Sequence, residues 1–281
     1  MFDHVTEAYE ALIDWPKRLA RETPLLRAVL TECGALGAME NAATAAGRAL
    51  DLACGTGHHA ALLSEWGLEV EGRDASSAMV AWCKQHWGTS DRRRWRVASF
   101  TDAAADDAGA FDAVLCLGNS LALAASPVEA AAAIRQMAAA LRPRVATSAS
   151  GGASGPRPAG ASDLRPGGVL VLQVLNLAKL PDGPPVWQVC KRVTLSDGAH
   201  LLVKGVQRQG ERGLVNLIDV QLADAGPVPR YDSTPLLSLS REFVEQACTA
   251  AGLRQVECFG GYDRSAFAAG SSTDLLVTAR R

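Results

Sequence analysis

Two glycines and two acids stand at positions that could build a ligand site. From Arg48 to Ala60 the chain reads RALDLACGTGHHA, and Asp74 closes the next apolar run. Gly55 and Gly57 allow a sharp turn and a close approach of backbone to ligand, and the helix that opens after them starts with free N–H groups. Asp74 is placed to accept hydrogen bonds from ribose hydroxyls. Strand, glycine turn, helix, second strand and terminal acid together form the layout of a nucleotide-cofactor site in an α/β domain.

Asp51 bears on which nucleotide that is. Gly55-x-Gly57-x-x-Ala60 fits the dinucleotide fingerprint, so an NAD(P)-dependent oxidoreductase is one reading. Yet Asp51 ends the first strand, where a dinucleotide would place its pyrophosphate. A carboxylate there repels a dianion and favours cationic groups such as the ammonium and sulfonium of S-adenosylmethionine. A protein that binds this cofactor without catalysis is a further reading.

These motifs need a framework to hold them. The 281 residues suffice for one large α/β domain with a substantial core. The net charge of −2, with acids and bases mixed, offers no general basic field for nucleic acid; Arg92, Arg93, Arg94 and Arg96 read as a solvated turn before a strand. Seven scattered cysteines without a CxxC pair suggest reduced, intracellular usage and no zinc site. The start of the chain lacks a long apolar segment, and no stretch approaches the roughly 18 apolar residues of a membrane helix, so a cytoplasmic protein with no membrane partner is expected.

Periodicity predicts helices in the first 35 residues, interrupted at Pro16 and Pro24. Strands are expected over 49–53, 68–73, 95–98, 113–117 and 169–175, with helices over 58–66, 76–87 and 127–141. Ser126-Pro127-Val128-Glu129 carries a capping serine, a first-turn proline and a capping-box glutamate. Alternating strands and helices mean a mostly parallel sheet, with ligands beyond the strands' carboxyl ends. Asp51, Asp74, Ser99 and Asn119 all fall there. Residues 144–166, rich in Ala, Gly, Ser and Pro, read as a flexible insertion between repeated Leu-Arg-Pro tripeptides. Three alternating runs, 186–195, 200–209 and 214–222, then predict an antiparallel meander covering the cleft. A helix over 241–251 and strands over 254–259 and 274–279 complete the chain.

LDLACGTG, EGRDASSAM, FDAVLCLGNSLA and LRPGGVLVLQVLN resemble the successive motifs of class I S-adenosylmethionine-dependent methyltransferases, closest to the glycine and sarcosine N-methyltransferase-like branch. The resemblance spans residues 48–176 without the insertion, with a weaker match around YEALIDWPKRL. It implies a Rossmann-like, doubly wound seven-stranded α/β sheet whose last strand is antiparallel. One methyltransferase domain is expected: an N-terminal helical cap (1–47), a cofactor-binding core (48–176), the meander (177–233), and a C-terminal helix with two strands (234–281).

The same resemblance implies roles for individual residues. Ala53, Gly55 and Gly57 form the loop around the methionine part of the cofactor, above Asp51. Asp74 holds the ribose; Ala75 and Met79 lie along the adenine, and Ser99 and Phe100 stand where an acid or amide and its neighbour usually meet the adenine amine. Leu117 faces the adenosine and sulfonium, and Asn119 the transferred methyl. Tyr9, Trp15 and Arg18 close over the cofactor carboxylate, with Arg21 competing with Arg18. His58 helps bind or cover the cofactor.

The expected reaction is direct in-line transfer of the methyl group to a small-molecule acceptor, an amine or alternatively a hydroxyl, leaving S-adenosylhomocysteine. A hydroxyl acceptor needs a general base, for which Tyr9, His58, Tyr231, Tyr262 and Asp263 are available. Glycine N-methyltransferases carry an arginine before the asparagine that follows strand five; here Leu175 precedes Asn176. Leucine cannot grip a carboxylate, so a less charged acceptor than glycine is expected.

Overall fold

The computed structural model of the protein describes residues 6–37, 47–102, 107–146 and 164–281. Two helices come first, α1 (Thr6–Leu12) and α2 (Trp15–Glu32). The alternating core follows: β1 (Arg48–Leu52), α3 (His58–Glu65), β2 (Glu69–Asp74), α4 (Ser77–Trp87), β3 (Arg93–Val97), β4 (Ala113–Cys116) and α5 (Pro127–Ala140). After β5 (Val145–Ala146) and β6 (Leu164–Arg165) come β7 (Val169–Leu175) and four long strands, β8 (Val186–Leu195), β9 (Gly198–Gln209), β10 (Arg212–Ala223) and β11 (Gly226–Leu237). The chain closes with α6 (Arg241–Ala250), β12 (Arg254–Phe259) and β13 (Asp274–Arg280).

The main sheet has seven strands in the order β12-β13-β7-β4-β1-β2-β3. β1 runs parallel to β2 and β4, whereas β13 is antiparallel to both of its neighbours. β1 is central and nearly wholly buried, as its apolar run requires. One face packs Phe111, Ile134, Met137 and Leu170 with α5 and α6; the other packs Leu26, Leu30, Leu63 and Trp95 with α2, α3 and α4. The strand order reverses at β1 and β4, so their carboxyl ends open the crevice where doubly wound sheets bind ligands.

Three expectations change. Pro24 does not break α2, which continues to Glu32. Burial of Leu25, Leu26, Val29 and Leu30 along one face outweighs the roughly 3 kcal/mol that an interior proline costs. The meander has four strands, not three, and extends beyond residue 233. The missed strand, β11, contains Pro227, Pro229 and Pro235, and proline reads as a breaker; β11 is an edge strand bonded to β10 alone, where proline is tolerated. Within the expected insertion, β5 pairs with β6 and closes its base; residues 147–163, and so the flexibility expected of them, lie outside the described residues.

Candidate active site

The loop after β1 folds as its glycines suggest. Ala53, Gly55 and Gly57 all take positive φ, at 53°, 55° and 81°. A Cβ on Gly57 would lie 2.7 Å from the Trp95 ring and 2.8 Å from Cys83 Sγ, so the missing side chain lets the loop sit down on α4 and β3. A Cβ on Gly55 would instead point at the Tyr9 ring, 3.6 Å away. Asp74 ties the loop to β2: its Oδ2 accepts from Gly55 N–H at 2.9 Å and its Oδ1 from Ser76 N–H at 2.9 Å.

A cavity of about 1180 Å³ opens beyond these strand ends. Tyr9, Ala53, Gly55, Asp74, Ala75, Met79, Ser99 and Phe100 all line it. Eight of the residues singled out from the sequence therefore border one space. Ser99 spends its hydroxyl locally, 3.2 Å from Thr101 Oγ1, which leaves Phe100 as the wall beside it.

Other expected residues lie outside that lining. Leu117 is 4% exposed and belongs to the apolar core with Leu115 and Val171; its neighbours Gly118 and Ser120 face the cavity instead. Asn119 holds a left-handed turn at φ 68°, and its Oδ1 accepts from Leu175 N–H at 2.8 Å. That oxygen links the ends of β4 and β7. Trp15 stacks on His58 with ring centroids 3.9 Å apart, and both side chains bond Glu10, at 3.0 and 2.7 Å. Against the penalty of burial, these bonds hold the Glu10 carboxyl below its usual range. The Trp15–His58–Glu10 group fastens the N-terminal helices to α3 beside the cavity.

Behind the loop lies a buried ionic group the sequence did not announce. Glu22, 1% exposed, meets His59 Nε2 at 2.6 Å, Arg18 Nε at 3.0 Å and Arg21 Nη2 at 3.2 Å. Burial opposes its charge, but His59 and Arg18 hold the carboxyl down to about 2. Helical spacing places Arg18 and Glu22 on one face, but nothing local in the sequence pairs Glu22 with His59. Arg18 is the inward cation of the two candidates: its guanidinium lies 3.3 Å from the Cβ position of Gly118. Arg21 is turned to the Tyr262 ring and is mostly exposed. Burial pushes the Tyr9 phenol up, although Arg18 is within hydrogen-bonding reach of it.

Asp51 tests the fit of the expected cofactor. It is 1% exposed, and its Oδ2 has no hydrogen-bond partner among the described residues. Burial pushes its carboxyl up to about 6, with His59 and Arg18 pulling the other way. A buried acceptor next to a left-handed glycine loop fits a ligand ammonium and disfavours a pyrophosphate.

The sequence also left out the far wall. Glu211 and Arg212 of the β9–β10 turn, together with Thr234–Leu237 of β11, close the cavity from the meander side. Leu236 joins the main core there, which seats the four-stranded sheet as a cover over the crevice.

Comparison with known proteins agrees with this architecture. Residues 49–144 match the methyltransferase domain family. A glycine/sarcosine N-methyltransferase of Parasynechococcus marenigrum is 34% identical over 116 residues, covering 41% of this chain and 37% of that protein. The match thus spans less than half the length of this curated relative. Two solved structures share the fold: the sugar N-methyltransferase from a Streptoalloteichus species (TM-score 0.65, 24% identity, 94% of this chain and 87% of that one), and an amino pentose methyltransferase from Micromonospora echinaspora solved with S-adenosylmethionine bound (TM-score 0.65, 21% identity, 98% and 97%).

The chain has the fold and cofactor loop of a class I S-adenosylmethionine-dependent methyltransferase. Within that class its sequence lies near the glycine/sarcosine N-methyltransferase branch. Among the described residues no helix is long and apolar enough to cross a membrane.

Proposed function

We propose that the protein methylates a small-molecule amine with S-adenosylmethionine as donor. One observation carries this reading: Asp51 keeps a buried, unpartnered carboxylate oxygen behind a glycine loop, and the loop and Asp74 border a cavity of about 1180 Å³. Bound there, S-adenosylmethionine would supply a methyl group on a positively charged sulfur; the lone pair of an acceptor nitrogen would bond to that carbon as the carbon–sulfur bond breaks, leaving S-adenosylhomocysteine.

The protein's own task is placement, which contributes roughly 7–11 kcal/mol where reacting atoms are well oriented. Asp74 holds the ribose hydroxyls, Asp51 answers the ammonium, and Arg18 takes the cofactor carboxylate. Met79, Ala75 and Phe100 give the adenine an apolar slot. Tyr9 lines the cavity as a neutral phenol, because burial pushes it up; it orients the acceptor amine by a hydrogen bond and leaves its proton in place. Asn119 acts through the backbone, fixing the β4 turn against β7 so that Gly118 and Ser120 face the acceptor. His58 supports the Trp15 and Glu10 clamp.

The chain works as a single methyltransferase domain, with the meander, here extended to Leu237, as its cover and the segment between β5 and β6 as an accessory. Mass-spectrometric scanning of a panel of amines, alcohols and acids tests the reading. A gain of one methyl group by an amine, with stoichiometric S-adenosylhomocysteine, is expected. Transfer to hydroxyls alone would move the chemistry to oxygen, and transfer to nothing would leave a cofactor-binding protein.

A further inference from the structure

The cover sheet carries a cation with no counter-ion among the described residues. Lys204 lies on β9 between Leu202 and Val206, both buried, so its side chain shares their inward face. Among the described residues it has no hydrogen-bond or ion-pair partner. Burial pushes its ammonium pKa down, and Arg18 is the charged neighbour that adds to the effect. Arg18 in turn reaches Gly118 on the cavity wall. Two buried carboxylates are already engaged elsewhere: Glu22 serves Arg18, Arg21 and His59, and Asp219, on the same face of the cover sheet opposite Leu202, is bonded to His200.

The strand opposite is shaped around the same point. β8 pairs Val189 with Lys204, and its register slips between Trp187 and Val189. Gly205, next to Lys204, has its Cβ position 2.7 Å from the Trp187 ring, which covers the outward face there. Bulges of this kind re-aim side chains and gather beside active sites. An unpaired ammonium held inward, half-buried, beside a second cation is an arrangement a fold does not keep for stability, since leaving a buried charge unmatched is costly.

We propose that Lys204 is a specificity-determining residue that binds an anionic group, a carboxylate or a phosphate ester, of the methyl acceptor. This rests on the methyltransferase reading and replaces the expectation of a less charged acceptor drawn from Leu175. The cation comes from the cover sheet, not from the end of β7.

Thermal denaturation of the protein saturated with S-adenosylhomocysteine tests it, using three amine probes: ethanolamine, β-alanine and O-phosphoethanolamine. At least one anionic probe is expected to raise the melting temperature beyond ethanolamine, and which one does so separates carboxylate from phosphate. Lys204→Met is expected to weaken that binding at least tenfold and leave the S-adenosylhomocysteine shift intact, while Lys204→Arg retains it. The proposal is overturned if neither anionic probe exceeds ethanolamine with the wild-type protein, or if the increment survives Lys204→Met. It is equally overturned if Lys204→Met weakens S-adenosylhomocysteine itself, which would assign Lys204 to the cofactor. Failure of the wild-type protein to bind S-adenosylhomocysteine would instead defeat the methyltransferase reading.

Discussion

Two buried carboxylate–imidazole pairs sit on opposite sides of the crevice and answer pH in opposite directions. On the cofactor side, Glu22 meets His59 and two arginines, and the pair is held in the ionised form on the carboxyl side. On the cover, His200 bridges Asp219 at 2.5 Å and Asp197 at 2.8 Å; burial opposes its charge, but the two carboxylates raise its pKa. The first pair anchors α2 under the cofactor loop, whereas the second ties β9 to β10. The same two chemical groups therefore stabilise the base of the site in one place and its roof in the other.

The largest expected effect comes from breaking the first pair. Glu22→Gln leaves Arg18 and His59 facing no charge in the interior and is expected to cost about 3–5 kcal/mol, read by urea unfolding. The contribution of Glu22 is present above its ordinary value of 4.5 and is lost as pH falls through about 2. The variant should accordingly lose part of the acid sensitivity of the wild type. Asp219→Asn has the reverse sign. Stability from His200 is full below its ordinary value of 6.5 and declines as pH rises through its raised folded value, so the variant should lose most in mildly acidic buffer.

Gly57→Ala comes next. A left-handed φ of 81° and the Trp95 and Cys83 contacts leave no room for a methyl group, and a loss of about 2–3 kcal/mol is expected together with weakened S-adenosylhomocysteine binding. In the cover, Gly198 faces open space, so an alanine there meets only the backbone cost of its φ of 130°. Comparable losses at both positions by thermal denaturation would contradict this packing role for Gly57.

A smaller effect follows from Asp51. Its carboxyl sits at about 6 without ligand, so the unliganded fold loses stability as pH rises through that value. Binding of an ammonium needs the ionised form, so S-adenosylhomocysteine affinity should increase about tenfold from pH 5 to pH 7, and Asp51→Asn should flatten that dependence in calorimetry. The smallest effect is expected from deleting residues 144–166. β5 and β6 already bring the ends of this segment together, and loop closure changes by only about 0.6 kcal/mol per halving of length. An aggregated deletion variant would show that the segment is structural.

Most of the α/β core was legible because each of its signals is local. The glycine loop, Ser126-Pro127 at the start of α5 and the terminal acid of β2 declare themselves within a few residues. β11 was hidden by its prolines, whose tolerance depends on the strand lying at an edge. Glu22, Arg212 and Lys204 were hidden for another reason: they matter through partners distant in sequence, and strand register rather than spacing sets their positions. By motif Leu117 faces the adenosine and sulfonium and Asn119 the methyl group; in the fold Leu117 packs in the core, and Asn119 holds β7 from a left-handed turn.

Asp74 is the proposed anchor of an adenosyl cofactor in the cavity between loop and cover. Calorimetric titration of S-adenosylhomocysteine into the wild-type protein and Asp74→Ala tests it most directly. One site per chain, no comparable binding of NADH, and a loss of about 1.5–3 kcal/mol in the variant, the range for hydrogen bonds to a charged group, are expected. Equal binding by the two proteins, or preference for NADH, would contradict that role.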